Sequence, residues 1–161
     1  MKGTRTAVLL VLPLLIAVGC STTPPENLYS GYLDALNQAV TVEDLLLFEA
    51  GRDLPEPDDR RYTTTFTAGE TRYVYGELRL RYPGSRGRDV ELGLDIVWTD
   101  ESGAERARQS LTVRVEGAWV RSRHVWGYGS DQPGGYWSTG SYEVSVFEGD
   151  TLLASRAYRI E

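Results

Sequence analysis

Apolar and polar residues alternate along much of the chain after residue 60. In 73–82, Val74, Leu78 and Leu80 share one side, and Glu77 falls on the opposite, polar side. A period of two residues is typical of strands with one buried and one solvated face. Similar runs follow, separated by turn residues, and a β-branched and aromatic run precedes them. The predicted strands are 62–66, 73–82, 90–98, 111–115, 142–146 and 152–160.

Residues 42–50 fit two kinds of element. Thr41 to Asp44 looks like a helix capping box with Gly51 as its stop, whereas the run from Leu45 to Phe48 suits a buried strand. We choose the strand. With it, seven or so short strands predict an all-β domain over 42–161, an antiparallel two-sheet β-sandwich of the immunoglobulin-like kind. An antiparallel barrel is the alternative architecture.

The apolar period is different before residue 41. Leu28, Tyr32, Leu36 and Ala39 recur at helical spacing, which predicts one short amphipathic helix over 28–40. Further upstream, Lys2 and Arg5 precede the apolar run 7–18, which is too short for the roughly 20 residues that cross a bilayer. A basic start followed by such a run predicts a signal peptide over 1–19.

The apolar run leads directly into the single cysteine. The residues Ala17-Val18-Gly19-Cys20 resemble the lipobox of bacterial lipoproteins, although that family usually has Leu where Ala17 stands. The resemblance implies that Cys20 becomes the first mature residue and carries lipid, palmitate among its acyl chains, on its sulfur and amino group. Two or three acyl chains hold a protein on a bilayer almost permanently. The alternative is an ordinary secretory signal cleaved near Gly19, which leaves a free thiol.

The residues after the cysteine indicate where the domain would be held. Residues 20–27 are polar and contain two prolines, which suits a lipidated cysteine followed by a short tether. In the lipoprotein family an aspartate after the cysteine implies retention at the inner membrane, and this chain has Ser21. The resemblance therefore implies a periplasm-facing outer-membrane location. The outer leaflet of the inner membrane and the cell surface are the alternatives.

Composition and charge argue against several kinds of partner and metal site. A net charge of -6 and a pI near 4.9 argue against a nucleic-acid partner, because duplex binding depends on cations that neutralise phosphates. One Cys and one His exclude a zinc site of the usual kind. The acidic residues Glu56, Asp58 and Asp59 lack the spacing of a calcium loop, so we expect a solvated loop there. We expect no metal and no cofactor.

The segment from Trp119 to Trp137 is rich in aromatics and glycines, and we predict a strand, a long loop and a second strand in it. Aromatics on a loop offer large contact area at low entropy cost, which favours recognition of a sugar ring or a protein. Alternatively, Trp119 and Trp137 pack against the core or at a strand end, and the same alternative stays open for Trp126 and Tyr128. We expect Trp126 and Tyr128 to be more exposed than Trp98. The candidate binding residues are His124, Trp126, Tyr128, Tyr136 and Trp137.

The closing residues 137–160 resemble the last hairpin of β-sandwich modules in bacterial envelope proteins. In both, an aromatic residue and a glycine precede a Tyr-x-Val-x-Val strand, here Tyr142 to Val146, and a short return strand follows. The resemblance implies the fold, and such modules commonly lack enzymatic activity. We therefore expect a membrane-anchored, non-catalytic binding domain whose partner is an envelope protein or polysaccharide.

Two other function classes remain as alternatives, an envelope-polymer hydrolase and a structural accessory subunit of an envelope complex. Ser122, His124 and Asp131 suggest a catalytic triad, but no nucleophile elbow surrounds Ser122. Side chains two residues apart on a strand are also about 7 Å apart, which we take as too far for a direct hydrogen bond. We expect no enzymatic activity.

Overall fold

A computed structural model describes residues 40–82 and 89–161. The predicted leader over 1–19, Cys20 with its tether, and all of the predicted helix except Val40 lie outside the described residues. No helix within the described ranges is long and apolar enough to cross a membrane. A single 3₁₀ turn occupies Pro57–Asp59. The strands are β1 (Thr41–Ala50), β2 (Thr65–Phe66), β3 (Tyr73–Arg81), β4 (Val90–Asp100), β5 (Glu105–Val115), β6 (Arg121–Gly129), β7 (Gly140–Glu148) and β8 (Thr151–Ile160).

The strands form two sheets, one in the order β1-β3-β6 and one in the order β2-β8-β7-β4-β5. Every pair is antiparallel except β2 with β8, which is parallel over two residues. The predicted all-β, two-sheet sandwich of the immunoglobulin-like kind is confirmed, and the barrel alternative is wrong because the two sheets stay separate. The choice of a strand over 42–50 is also confirmed, since β1 pairs with β3 along its length.

The core lies between the two sheets and is filled by the inward-facing apolar positions of the predicted strands. Trp98 is 1% exposed, and Leu78, Leu80, Ile96 and Val144 are fully buried. Burying side chains of this size contributes roughly 1.5–3 kcal/mol each. The period of two in the sequence therefore identified the core positions of these strands.

Two predicted elements differ from the structure. The early strand over 62–66 is reduced to β2, and Tyr62 forms only an isolated bridge with Phe48. In the segment predicted as a strand, a long loop and a second strand, the first strand is the nine-residue β6, which extends to Gly129 and shortens the loop. Its glycines serve packing, because the Tyr75 ring lies where a Cβ on Gly127 would have to be. A Gly-rich strand thus has the composition of a loop.

The outer face of the three-stranded sheet is not solvated as the alternation predicted. Glu77, at the centre of β3, is 0% exposed. The chain after β1 crosses this face and brings Arg60 and Tyr62 over the carboxylate, at 2.5 Å and 2.8 Å. Arg79 donates to the other carboxylate oxygen at 2.7 Å. A buried carboxylate thereby fastens the crossing segment to the sheet.

The register fixes the two ends of the sandwich. Thr41 pairs with Arg81, which pairs with Arg121, and we call this end proximal. At the other end, which we call distal, Tyr73 pairs with both Ala50 and Gly129. The chain thus enters the described domain at the proximal end.

Strand β5 is an edge of the five-stranded sheet, and within the described residues only β4 pairs with it. Its register with β4 shifts between Trp98 and Thr99, which leaves Arg106 as an extra residue on β5. Arg108 and Arg114 are exposed on its outward side and pair with Glu105 and Asp89. The edge is therefore both bulged and charged.

Candidate functional site

The five candidate binding residues do not share one environment. Trp126 lies in β6 and is 5% exposed, because its side chain faces the core and its ring packs on Gly76 of β3. Trp137 is 6% exposed. Tyr136 is 38% exposed, and Tyr128 is half-buried. Trp126 and Tyr128 are both more exposed than Trp98, as expected, but Trp126 only slightly, because it lies in β6 and not on the loop that carries Tyr136.

Tyr128 and Tyr136 form a continuous surface at the distal end, which we call the distal aromatic surface. Their ring centroids are 5.6 Å apart at an interplanar angle of 67°. Trp137 packs edge-to-face against both rings, at 5.4 Å and 5.5 Å. Behind them, Trp98 lies 5.7 Å from Tyr128. The exposed rings therefore rest on buried aromatics and are held in place before any ligand arrives.

The loop that carries Tyr136 is tied to the neighbouring strand connection. The Ser130 N–H and the Trp137 Nε1–H donate to the carbonyl of Arg72, at 3.0 Å and 3.2 Å. Asp131 accepts hydrogen bonds from Tyr73 at 3.0 Å and from Arg52 at 2.8 Å. The hydrogen bond from Arg52 lowers the pKa of Asp131 most, and the hydrogen bond from Tyr73 adds to this lowering against the opposing effect of desolvation. These contacts fix both ends of the loop.

Tyr136, the exposed ring of the distal aromatic surface, stays uncharged at neutral pH. Burial, and after it the neighbouring Tyr128 hydroxyl, raises the pKa of Tyr136 well above its ordinary value. The Tyr128 hydroxyl donates to the Arg106 carbonyl at 3.4 Å, a long hydrogen bond. A neutral phenol beside rigid rings presents a donor, an acceptor and apolar faces together, a combination that suits sugars and protein side chains.

A second candidate lies nearer the proximal end, in a cleft of about 450 Å³ between the edge strands β5 and β6. The Ser122 hydroxyl and His124 Nε2 are hydrogen-bonded at 2.6 Å, and Tyr82 extends the chain to Ser122 at 2.7 Å. Burial lowers the pKa of His124, so the imidazole is neutral at pH 7. The cleft is lined by Thr112, Val113, Arg114, Trp119, Arg121, Ser122, Arg123 and His124.

The structure brings Ser122 and His124 together but not Asp131. The expectation that side chains two apart on a strand do not reach each other is wrong, because the imidazole extends Nε2 along the strand. Asp131 belongs to the distal loop, and the strand from His124 to Gly129 alone spans roughly 17 Å. Within the described residues, His124 has no carboxylate partner. The contact resembles a nucleophile and base without the group that orients the base.

Sequence reasoning missed Glu77, because the alternation along β3 places it on the face that was predicted to be polar. Burial alone would raise its pKa, but hydrogen bonds from Arg79, Tyr62 and Arg60 together lower the pKa below the ordinary value. The carboxylate is enclosed and charge-paired, so it stabilises the fold instead of facing a ligand. No group of three or more potential metal ligands occurs in the described part of the chain.

No protein-family model matches the chain, and no curated protein matches it in sequence. Among solved structures, it is similar to an alkylpurine DNA glycosylase of Pseudomonas fluorescens bound to DNA with an abasic site analog. The TM-score is 0.48 at 13% identity, and the match covers 76% of this chain and 30% of that one.

Two further solved structures are similar over the same share of this chain. One is an immunoglobulin-like protein from Pseudomonas aeruginosa, with a TM-score of 0.44, 15% identity and coverage of 76% and 96%. The other is the beta-D-glucoside glucohydrolase of Trichoderma reesei, with a TM-score of 0.48, 9% identity and coverage of 76% and 19%. At these identities no functional residue is carried over. The class that the described domain defines is an immunoglobulin-like β-sandwich.

Proposed function

We propose that this protein is a lipid-anchored, non-catalytic binding module of the bacterial envelope. Acyl chains on Cys20 hold it on the membrane, and residues 21–39 connect the anchor to the sandwich. The outer membrane, facing the periplasm, is the proposed location. One observation carries the binding role: Tyr136 is exposed while resting on the rigid aromatics Tyr128 and Trp137.

The binding role follows from the physical cost of that arrangement. An exposed aromatic ring that packs on two others leaves apolar area uncovered in the free protein. Covering one such side chain in a complex is worth roughly 1.5–3 kcal/mol, or about ten- to a hundred-fold in affinity. Because the loop is already fixed, little further ordering opposes binding. The partner is an envelope protein or polysaccharide that lies over the distal end.

The anchor is tested by replacing Cys20 with Ala in the full chain. The variant should remain an unlipidated, uncleaved precursor, whereas mass spectrometry of the wild type should show a diacyl or triacyl amino-terminal cysteine. A wild-type chain with an unmodified terminal cysteine, or one cleaved after Gly19 without lipid, refutes the anchor and with it the proposed location.

The binding surface is tested by a photo-crosslinking residue placed at Tyr136 in cells that make the full chain. A matched control carries the same residue at Asp150, an exposed position of the β7–β8 turn at the opposite end of the sandwich. A product at position 136 alone is expected. Peptides of a second protein in its mass spectrum indicate a protein partner, and a return to the monomer mass after digestion with a glycan hydrolase indicates a polysaccharide. Equal products at both positions, or none at 136, contradict the assignment.

The Ser122–His124 contact favours a second candidate function, a hydrolase of envelope polymer. The contact is short, and both side chains line a cleft of about 450 Å³. A fluorophosphonate probe reacts with activated serines, so it separates the two functions. Labelling of the wild type that Ser122→Ala removes would establish the hydrolase. We expect no labelling, because no carboxylate orients His124.

A further inference from the structure

Three consecutive exposed residues form the outermost part of the connection between β5 and β6. Ala118 is exposed, Trp119 is 37% exposed and Val120 is 56% exposed. We call these residues the proximal tip. Its backbone is fixed, because the Trp119 N–H donates to Glu116 at 3.0 Å and the Val120 carbonyl accepts from Tyr82 at 2.9 Å. A fixed loop that presents apolar side chains to water favours a contact outside the domain.

The proximal tip lies beside the point where the chain enters the sandwich. Arg121, which directly follows the tip, pairs with Arg81, and Arg81 pairs with Thr41 at the start of β1. Two inter-strand spacings separate Thr41 from Arg121, which amounts to roughly 10 Å. Residues 21–39 alone connect this point to Cys20. A membrane that holds Cys20 is thus the surface that the proximal end is positioned to meet.

The side chains of the tip suit the boundary between headgroups and acyl chains. Tryptophan is enriched at that depth because its ring is apolar and its N–H is a donor. Arg114 and Arg121 flank the tip on its two strands, and their guanidiniums are held by Asp89 at 2.6 Å and Glu43 at 3.0 Å. Since these charges are locally paired, apolar insertion supplies the attraction, and anionic lipid is not required.

We propose that the proximal tip inserts into the surface of the bilayer that carries the anchor, with Trp119 and Val120 at the level of the headgroups. This inference rests on the proposed lipidation of Cys20. Insertion would give the anchored domain a defined orientation. The distal aromatic surface then points away from the membrane, toward the partner.

Tryptophan fluorescence of the acylated full chain tests the insertion. The protein is reconstituted in vesicles of phosphatidylethanolamine and phosphatidylglycerol, with or without brominated acyl chains, which quench indoles that they touch. The chain has four tryptophans, and the other three, Trp98, Trp126 and Trp137, are buried. Quenching therefore reports on Trp119. Trp119→Phe should abolish most of the quenching, and Val120→Asp should weaken it, with circular dichroism and vesicle flotation unchanged.

The outcomes separate the insertion from the anchor. Wild-type protein that floats with the vesicles but is not quenched overturns the insertion and leaves the anchor standing. Protein that does not float overturns both. Quenching that survives Trp119→Phe also overturns the insertion. Trp119 fluorescence that indicates burial only at high protein density, without quenching by bromine, would assign the tip to a contact with a second copy of the chain. That outcome likewise contradicts insertion.

Discussion

The ring of Tyr75 covers the backbone of Gly127, its partner across the β3–β6 ladder. On the opposite face of the same two strands, the Trp126 ring covers Gly76, where a Cβ would lie 3.0 Å from the indole. Each strand thus contributes one aromatic and one glycine, and each aromatic occupies the space that the other strand's glycine leaves. The pairing explains why a segment so rich in glycine forms a regular strand.

Replacing Gly127 with Ala should lower the free energy of unfolding by about 1–3 kcal/mol, because the new methyl group forces the Tyr75 ring to move. Denaturant unfolding measures this loss. Gly93→Ala is the matched control, since Gly93 also lies in a strand and has open space around its Cβ position. Combined with Tyr75→Ala, Gly127→Ala should cost less than the two single effects predict. Full additivity would show that the two residues do not interact.

Glu77→Ala should cost about 3–5 kcal/mol, because it leaves Arg60 and Arg79 without their buried counter-charge. Glu105→Ala removes an exposed pair with Arg108 and should change stability by less than about 1 kcal/mol. Equal losses in thermal or denaturant unfolding for the two variants would mean that the buried cluster contributes no more than a surface pair.

The same carboxylate predicts how stability depends on pH. The pKa of Glu77 is lower in the folded chain than its ordinary value, so its contribution is fully present above about pH 4.5. The contribution is lost as pH falls through the folded pKa. The free energy of unfolding of the wild type should therefore decrease as pH falls through that acidic range. Glu77→Gln should make this dependence on pH weaker there. An identical pH profile for the variant would contradict this origin.

His124 should affect the stability of the fold at higher pH than Glu77 does. Burial lowers its pKa, so the folded protein resists protonation below the ordinary pKa of about 6.5. The contribution of His124 to stability should be constant above about pH 6.5 and should be lost as pH falls through the folded pKa. His124→Gln keeps a partner for Ser122 and should remove this decline. Titration of the imidazole carbon-bound protons by NMR gives the folded pKa directly, and a value at or above 6.5 would contradict the prediction.

Trp126 should behave as a core residue despite its place in an aromatic, Gly-rich segment. Trp126→Ala and Trp98→Ala should each destabilise the domain by about 3–5 kcal/mol. Trp119→Ala, at the exposed proximal tip, should stay within about 0.5 kcal/mol of the wild type. Melting temperatures of the three variants provide the comparison. A mild effect at Trp126 would restore it as a candidate contact for a ligand.

The regular strands were predictable because their alternation is a local property of the sequence. β3, β4, β7 and β8 lie where apolar residues recur at every second position. The full extent of β6 was not, since a strand was predicted at the start of its segment but its continuation through Gly127 depends on Tyr75, about 50 residues earlier in the chain. The burial of Glu77 was equally hidden, because the segment that covers it contacts β3 only in the folded chain.

The candidate site was predictable only where it depends on the local sequence. An aromatic cluster in the right segment was evident, and packing of Trp137 was one of the two alternatives. Which ring is exposed depends on the register between β6 and β3, which places Trp126 inward. The Ser122–His124 contact was underestimated, because spacing between backbone positions ignores the reach of an imidazole.

The bulged and arginine-bearing edge of β5 has a consequence for how this protein behaves when many copies are crowded together. A straight, uncharged edge strand of eleven residues would be a template on which a second molecule continues the sheet, and repetition of that step produces fibrils. The extra residue at Arg106 distorts the template, and the ion pairs of Arg108 and Arg114 line its outward side with charged groups. The bulge and the charges of β5 should therefore oppose edge-to-edge association of the domain at high density.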